Sequence, residues 1–197
     1  MQLVKRQLLH SKEIRMTYKI FDQAKIINQN RLKIGNKSQI DDFVFFNCGE
    51  ESILGDFVHI ASFCSIIGGG SFYMDHFSGL SAGCRIITGS DDFLGDALTN
   101  PTVPSKYTNV KKSIVKIGKH AILGTNVTVL PGVTIGEGAA VGAGALVRKD
   151  LEPWTIYVGT DCKPLKSRPS SKILALEKEL LNELGLNLET LNFMNKD

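Results

Sequence analysis

Between Ile117 and Val147 an aliphatic residue returns at every sixth position: Ile117, Leu123, Val129, Ile135, Val141 and Val147. Four places after each of the first five stands a small or β-branched residue: Ala121, Val127, Val133, Ala139 and Ala145. An amphipathic helix would show apolar returns at three and four, and a half-buried strand at two. A period of six fits a parallel β-helix of short strands joined at corners, in which each coil buries its apolar side only by stacking on the next. Three hexapeptides make one coil, so the large aliphatic residue fills the prism interior and the small one fits near a corner. Gly and Asn serve the corners, where positive φ costs Gly nothing and Asn little.

The same period runs earlier, through Ile34, Ile40, Phe46, Leu54, Ile60, Ile66, Met74, Leu80 and Ile86. It slips near 50–53 and 68–73, which the pattern assigns to corner insertions. The prism is therefore expected over 34–168. Residues 1–33 lack the period and read as a short helix followed by an edge strand. The frame breaks again over 91–116, a protruding loop long enough to expect a function for it, with Leu94, Leu98, Pro101, Val103, Pro104 and Tyr107 as docking surface. In 169–197 an amphipathic helix is expected, capped by Ser170 or Ser171 and ended by Gly185. Ile173, Leu174, Leu176, Leu180, Leu181 and Leu184 form its apolar side, expected to cover the open end of the prism or pack on a neighbour. The fold class is all-β, a parallel β-helix with one long loop and a C-terminal α-helix.

Composition adds limits rather than detail. The 197 residues suit one domain, and a net charge of +3 with scattered Lys and Arg does not indicate a nucleic-acid partner. No apolar run has the length of a membrane span and no signal peptide is visible. Cys48, Cys64, Cys84 and Cys162 have neither metal-ligand nor redox spacing. Cys64 and Cys84 occupy the small-residue slot of their hexapeptides, which predicts core packing and a reducing, cytoplasmic location.

The run VLPGVTIGEGAAVGAGALVRKD resembles the hexapeptide-repeat acyltransferases, whose members include galactoside, maltose, xenobiotic and lipopolysaccharide O-acetyltransferases. The resemblance implies a left-handed helix and a homotrimer with active sites at subunit interfaces, walled by the loop of a neighbour. It implies acetyl-coenzyme A as donor, no metal, and a hydroxyl or amine on a sugar of a surface polysaccharide or its nucleotide-linked precursor as acceptor. Carried across by motif, Gly142, Ala143 and Gly144 would lie along the pantetheine arm, with Arg148 and Lys149 near phosphates. Lys163 matches the Lys of the relatives' Gly-Asn-Pro-Ala-Lys segment near the adenine; here the segment is Gly159, Thr160, Asp161, Cys162, Lys163.

The family's usual base is a His in a Thr-Gly-His context before the loop, and here the matching residues are Thr88, Gly89 and Ser90. Acyl transfer still needs a proton acceptor. The frame puts His76 and His120 in successive coils beside the corner from which Asp91 and Asp92 depart. His120 oriented by Asp91 or Asp92 is the expected base, with His76 the second candidate and Ser90 and Tyr107 toward the acceptor. The alternative roles are structural: His120 as a corner residue where Asn often sits, and the two Asp as turn formers. Two other functions fit the fold: a γ-carbonic-anhydrase-like zinc hydratase using His59, His76 and His120, and a non-catalytic scaffold.

Overall fold

A computed structural model of the chain describes residues 18–188. The expected N-terminal helix falls outside them. Three parallel sheets wrap one interior. The first face stacks Lys19–Ile20, Gln39–Ile40, His59–Ile60, Gly79–Leu80, Ile122–Leu123, Ala140–Val141 and Thr155–Val158. The second stacks Lys25–Ile27, Phe45–Asn47, Ser65–Ile67, Arg85–Ile87, Thr128–Val129 and Leu146–Val147. The third stacks Leu32–Ile34, Ser52–Leu54, Ser71–Met74, Ile114–Ile117 and Thr134–Ile135.

The hexapeptide anchors fill the interior: Ile40, Phe46, Ile60, Ile66, Met74, Ile86, Ile117, Leu123, Val129, Ile135 and Val147 have no exposed surface. Each such burial contributes about 1.5–3 kcal/mol. The second slot is equally dry at Val58, Cys64, Cys84, Ala121, Val127, Val133, Ala139 and Ala145. All four cysteines are free thiols, and burial pushes that of Cys48 up to about 11.

Two boundaries differ from the pattern. The prism begins before Ile34, because Lys19–Ile20 already pairs with Gln39–Ile40 and Lys25–Ile27 with Phe45–Asn47. Early coils also carry two extra residues: Gln39, His59 and Gly79 align across neighbouring strands, whereas later partners such as Ile122 and Ala140 are 18 apart. The extra residues sit at the corner between the second and third faces, where the two slips were expected. The loop leaves from this corner. Gly89–Ser90 pairs antiparallel with Lys111–Lys112 to form its stem, and Ile114–Ile117 is already a strand of the third face, so the excursion is shorter than 91–116.

Beyond Thr155–Val158, Lys163–Ser167 turns back antiparallel along the first face. The helix α1 spans Ser171–Leu184 and ends at Gly185 in left-handed conformation, as its sequence predicts. Ser170 is its N-cap but makes no side-chain capping bond. No residue of α1 is buried; the helix is held by Glu177, which reaches Lys119 and His120 on the corner between the third and first faces.

Candidate active site

The stem of the loop is built by close backbone packing. Thr88 is fully buried, its Oγ1 donating to the Ile67 carbonyl (2.9 Å) and accepting from the Gly70 N–H (3.0 Å). At Gly89 an added Cβ would be driven into the Gly68 carbonyl oxygen, so the ribbon can leave the prism only at a glycine.

Asp91 and Asp92 open the loop and differ sharply. Asp92 accepts three backbone N–H groups, from Leu94 (2.9 Å), Asp96 (2.6 Å) and Ala97 (2.7 Å), and so folds the turn. The Leu94 N–H above all holds its carboxyl below the ordinary range; desolvation opposes it, and the N–H groups of Ala97, Asp96 and Gly95 add to the lowering. Asp91 makes one long bond, Oδ2 accepting from the Asn100 N–H at 3.3 Å. Ser90 Oγ donates to the Asp91 carbonyl at 2.9 Å. Farther along, the Tyr107 carbonyl accepts the Leu98 N–H (2.9 Å), while Phe93, Leu94, Leu98 and Tyr107 present exposed side chains.

The structure does not bring the two histidines to these carboxylates. His76 and His120 lie at the corner between the third and first faces, at the other end of the strands that begin beside the loop stem. His120, with φ 58°, stacks on Phe77 (5.1 Å, 8°) and tilts against Trp154 at 6.1 Å. Its Nε2 meets Glu177 at 2.7 Å, and its carbonyl accepts from Arg168 at 3.0 Å. His76 is 5% exposed and its Nδ1 accepts the Asp56 N–H at 2.8 Å, which places the proton of a neutral ring on Nε2. Both imidazoles are largely buried and already engaged by protein partners at this corner. Glu177 is held below its usual range: burial alone would raise it, but hydrogen bonds from Lys119 and His120 outweigh that. His59 stands apart on the first face, 3.0 Å from Asp41, so the three histidines of the zinc alternative do not converge. Among the described residues no group of three His, Cys, Asp or Glu could hold a metal ion.

The corner between the first and second faces carries Gly142, Ala143 and Gly144, expected along coenzyme A, while Arg148 and Lys149 follow the second-face strand Leu146–Val147 at its other end. A Cβ at Gly144 (φ 71°) would meet nothing within 4 Å, so the backbone there is open to a thin ligand. Gly142 is small for a different reason: its Cβ would press on the Tyr157 carbonyl at 3.2 Å. Ala143, Arg148, Lys149 and Lys163 are exposed, with Arg148 (3.9 Å) and Lys163 (4.0 Å) loosely gathered by Asp161.

Two groups were not singled out in the sequence. Glu177 carries no periodic signal. Phe43 and Phe63, with Arg85 and Asn126 beside them, stand on the same open corner as Gly144. The signal for the two Phe was available, because both fall in the fourth slot of their hexapeptides, where later repeats place Asn126, Gly138 and Gly144.

The family described as bacterial transferase hexapeptide (six repeats) matches residues 114–149. An Escherichia coli dTDP-4-amino-4,6-dideoxy-D-glucose acyltransferase is 40% identical over 84% of this chain and 86% of its own length. The chain is also similar to AntD, an N-acyltransferase from Bacillus cereus, in a crystal structure with dTDP and 3-hydroxybutyryl-CoA. That match has TM-score 0.79 and 38% identity, covering 86% of this chain and 89% of that one. A mutant of AntD, crystallised with dTDP-4-amino-4,6-dideoxyglucose and coenzyme A, matches with TM-score 0.75 at 38% identity, covering 83% of this chain and 87% of that one.

Proposed function

The chain belongs to the bacterial hexapeptide-repeat transferases and is an acyltransferase, and from that premise we propose that it moves an acetyl or other short acyl group from coenzyme A to the amine of a nucleotide-linked amino sugar. The observation that carries this reading is 40% identity over 84% of the chain to a protein named as a dTDP-4-amino-4,6-dideoxy-D-glucose acyltransferase. A hydroxyl acceptor has no comparable support. The assembly we propose is a trimer, in which the exposed Phe93, Leu94, Leu98 and Tyr107 of one loop lie on a neighbouring prism. No described helix is long and apolar enough to cross a membrane, and four buried free thiols accord with the cytoplasmic location we assign.

In the proposed reaction the sugar amine attacks the thioester carbonyl. A C–N bond forms, the C–S bond breaks, and the amine proton must leave. Asp91 takes that proton in this reading, because its carboxylate is the less engaged of the pair at the loop stem. Asp92, saturated by three N–H donors, shapes the turn that presents Asp91. Ser90 sits at the same stem with its hydroxyl toward the acceptor. The leaving thiolate collects a proton from solvent, so no covalent enzyme intermediate is required.

The test is coenzyme A release from acetyl-coenzyme A with dTDP-4-amino-4,6-dideoxy-D-glucose, against dTDP-glucose and a free neutral sugar. Release only with the amino sugar, and an amide product by mass spectrometry, supports the reading. Release with the hydroxyl acceptors instead returns the enzyme to O-acylation. Sedimentation of the purified chain as a monomer would remove the trimer.

A further inference from the structure

Each corner of the prism repeats a left-handed residue, and bulky side chains avoid that conformation. Phe43 (φ 63°) and Phe63 (φ 64°) nevertheless hold it while 52% and 61% exposed. The two rings stack at 5.3 Å with 9° between their planes, and burial does not compensate the backbone strain. The next rung is Gly83 (φ 74°), whose N–H bonds the Ser62 carbonyl, so the ladder of rings stops where a third ring would lie. One rung higher, the exposed Asn126 leans its carboxamide oxygen toward the place a Gly83 Cβ would occupy. Beside the gap, Arg85 Nη1 donates to the Gly83 (2.8 Å) and Phe63 (3.3 Å) carbonyls. That leaves the other guanidinium donors directed elsewhere on an exposed side chain.

We infer that this gap is the nucleobase subsite of the acceptor: the base of the nucleotide sugar stacks on Phe63 over Gly83, Asn126 reads its edge, and Arg85 holds the diphosphate. The inference rests on the nucleotide-sugar reading given above and adds the residues that recognise the nucleotide. Stacking rungs are one strand spacing apart, about 4.8 Å, which suits a planar ring following Phe63 in the series. A carboxamide carries one acceptor and two donors, the complement of the imide edge of a pyrimidine such as thymine. A guanidinium already held by two carbonyls loses little freedom when it takes an anionic partner. Arg85 opens the second-face strand Arg85–Ile87, and Ser90 follows just past the corner at Thr88 where the ribbon leaves the prism, so the reacting end lies across the second face from the base, on the far side of the diphosphate. Donor and acceptor would then share this face, with coenzyme A descending from Gly144 and the nucleotide rising from Phe63 toward Ser90.

Calorimetry of the full chain with two probes, dTDP and coenzyme A, tests this. Phe63→Ala should raise the Kd for dTDP about tenfold or more, the usual cost of a lost base–aromatic stack. Phe63→Trp should bind dTDP like the wild type, and the Kd for coenzyme A should stay within about twofold throughout. Arg85→Gln should weaken dTDP and flatten its dependence on salt, and Asn126→Ala should weaken dTDP more than it weakens inorganic diphosphate. Unchanged dTDP binding in Phe63→Ala overturns the subsite while leaving the acyl-acceptor reading intact. A loss confined to coenzyme A also overturns it, assigning the rings to the donor's adenine. A wild type that binds coenzyme A but not dTDP overturns the nucleotide-sugar reading itself. Melting temperature confirms that each variant is folded, and with both Phe63 variants folded no outcome leaves the subsite undecided.

Discussion

Two corners of this prism use the same residue in the same conformation and reach opposite ends. Between the third and first faces, Phe57 stacks on Phe77 (4.7 Å, 9°), Phe77 on His120, and Trp154 follows above. Arg168 and Glu177 then close that column from outside. Between the first and second faces the ladder of Phe43 and Phe63 ends at Gly83. In the closed column each ring at positive φ is repaid by a neighbour on the next coil, worth about 0.5–1.5 kcal/mol per stacked pair beyond area. In the open one the upper ring has no such neighbour. A histidine in the closed column is a packed ring with a carboxylate partner, whereas an aromatic in the open one is available to a ligand.

The contrast breaks most visibly if chemistry resides at the closed corner after all. Asp91→Asn keeps the oxygen that receives the Asn100 N–H and removes the proton acceptor, so kcat should fall about 10²–10⁴-fold, the range for loss of a general base. His120→Asn retains a residue tolerant of positive φ and should leave kcat of the folded enzyme within about threefold. Steady-state rates on the two purified variants decide it. If His120→Asn carries the large loss, the base is at the closed corner and Asp91 is only a loop residue.

A smaller effect concerns how the closed corner is held. Glu177→Ala leaves Lys119 and a largely buried His120 without their carboxylate. Removing one partner of such a cluster costs about 3 kcal/mol, or about 6–12 °C in Tm for a chain of this size. Chemical or thermal denaturation should show the loss, whereas Phe63→Ala should leave Tm nearly unchanged. The same carboxylate gives a signed pH dependence. Its folded pKa lies below its unfolded value, so its contribution is complete above about pH 4.3 and fades as acid carries the pH down through the folded value. Glu177→Gln should flatten that acid limb of the stability curve; an unchanged limb would show that other carboxylates dominate it.

The period of six identified the fold because burial enforces it: Ile117, Leu123 and Val129 recur where the interior needs them, and almost nothing else can stand there. The two slips were readable as corner insertions for the same reason, since the residues around them had to return to register. The helix end at Gly185 was legible from local conformation, whereas the antiparallel stem Gly89–Ser90 with Lys111–Lys112 was not, because two residues a side carry no pattern. The site was less so. Hexapeptide phase tells which slot a residue fills, but His120 and Asp91 are separated by the width of a face, and the frame alone did not assign them to different corners. Glu177 closes onto His120 from 57 positions later in the chain, a contact created by the return of Lys163–Ser167 and α1 rather than by any repeat. The Phe ladder was visible as four phenylalanines in one slot, at 43, 57, 63 and 77, yet only the structure separates the covered pair from the open one.

The smallest expected effect sharpens the contrast at that pair. Phe63→Asn replaces a bulky residue at positive φ with one that tolerates it, and gives up one partly solvated stack. These terms oppose each other at about 1 kcal/mol apiece, so stability should stay within about 0.5 kcal/mol of wild type, with a slight gain if strain dominates. Phe77→Asn removes a ring sandwiched between Phe57 and His120 and should destabilise by about 2–3 kcal/mol. Parallel denaturant titrations of the two variants measure the difference. If both substitutions cost the same, Phe63 is already a structural rung like Phe77. If Phe63→Asn is neutral or better while acceptor binding falls, the exposed ring is kept for its ligand at no benefit to the fold.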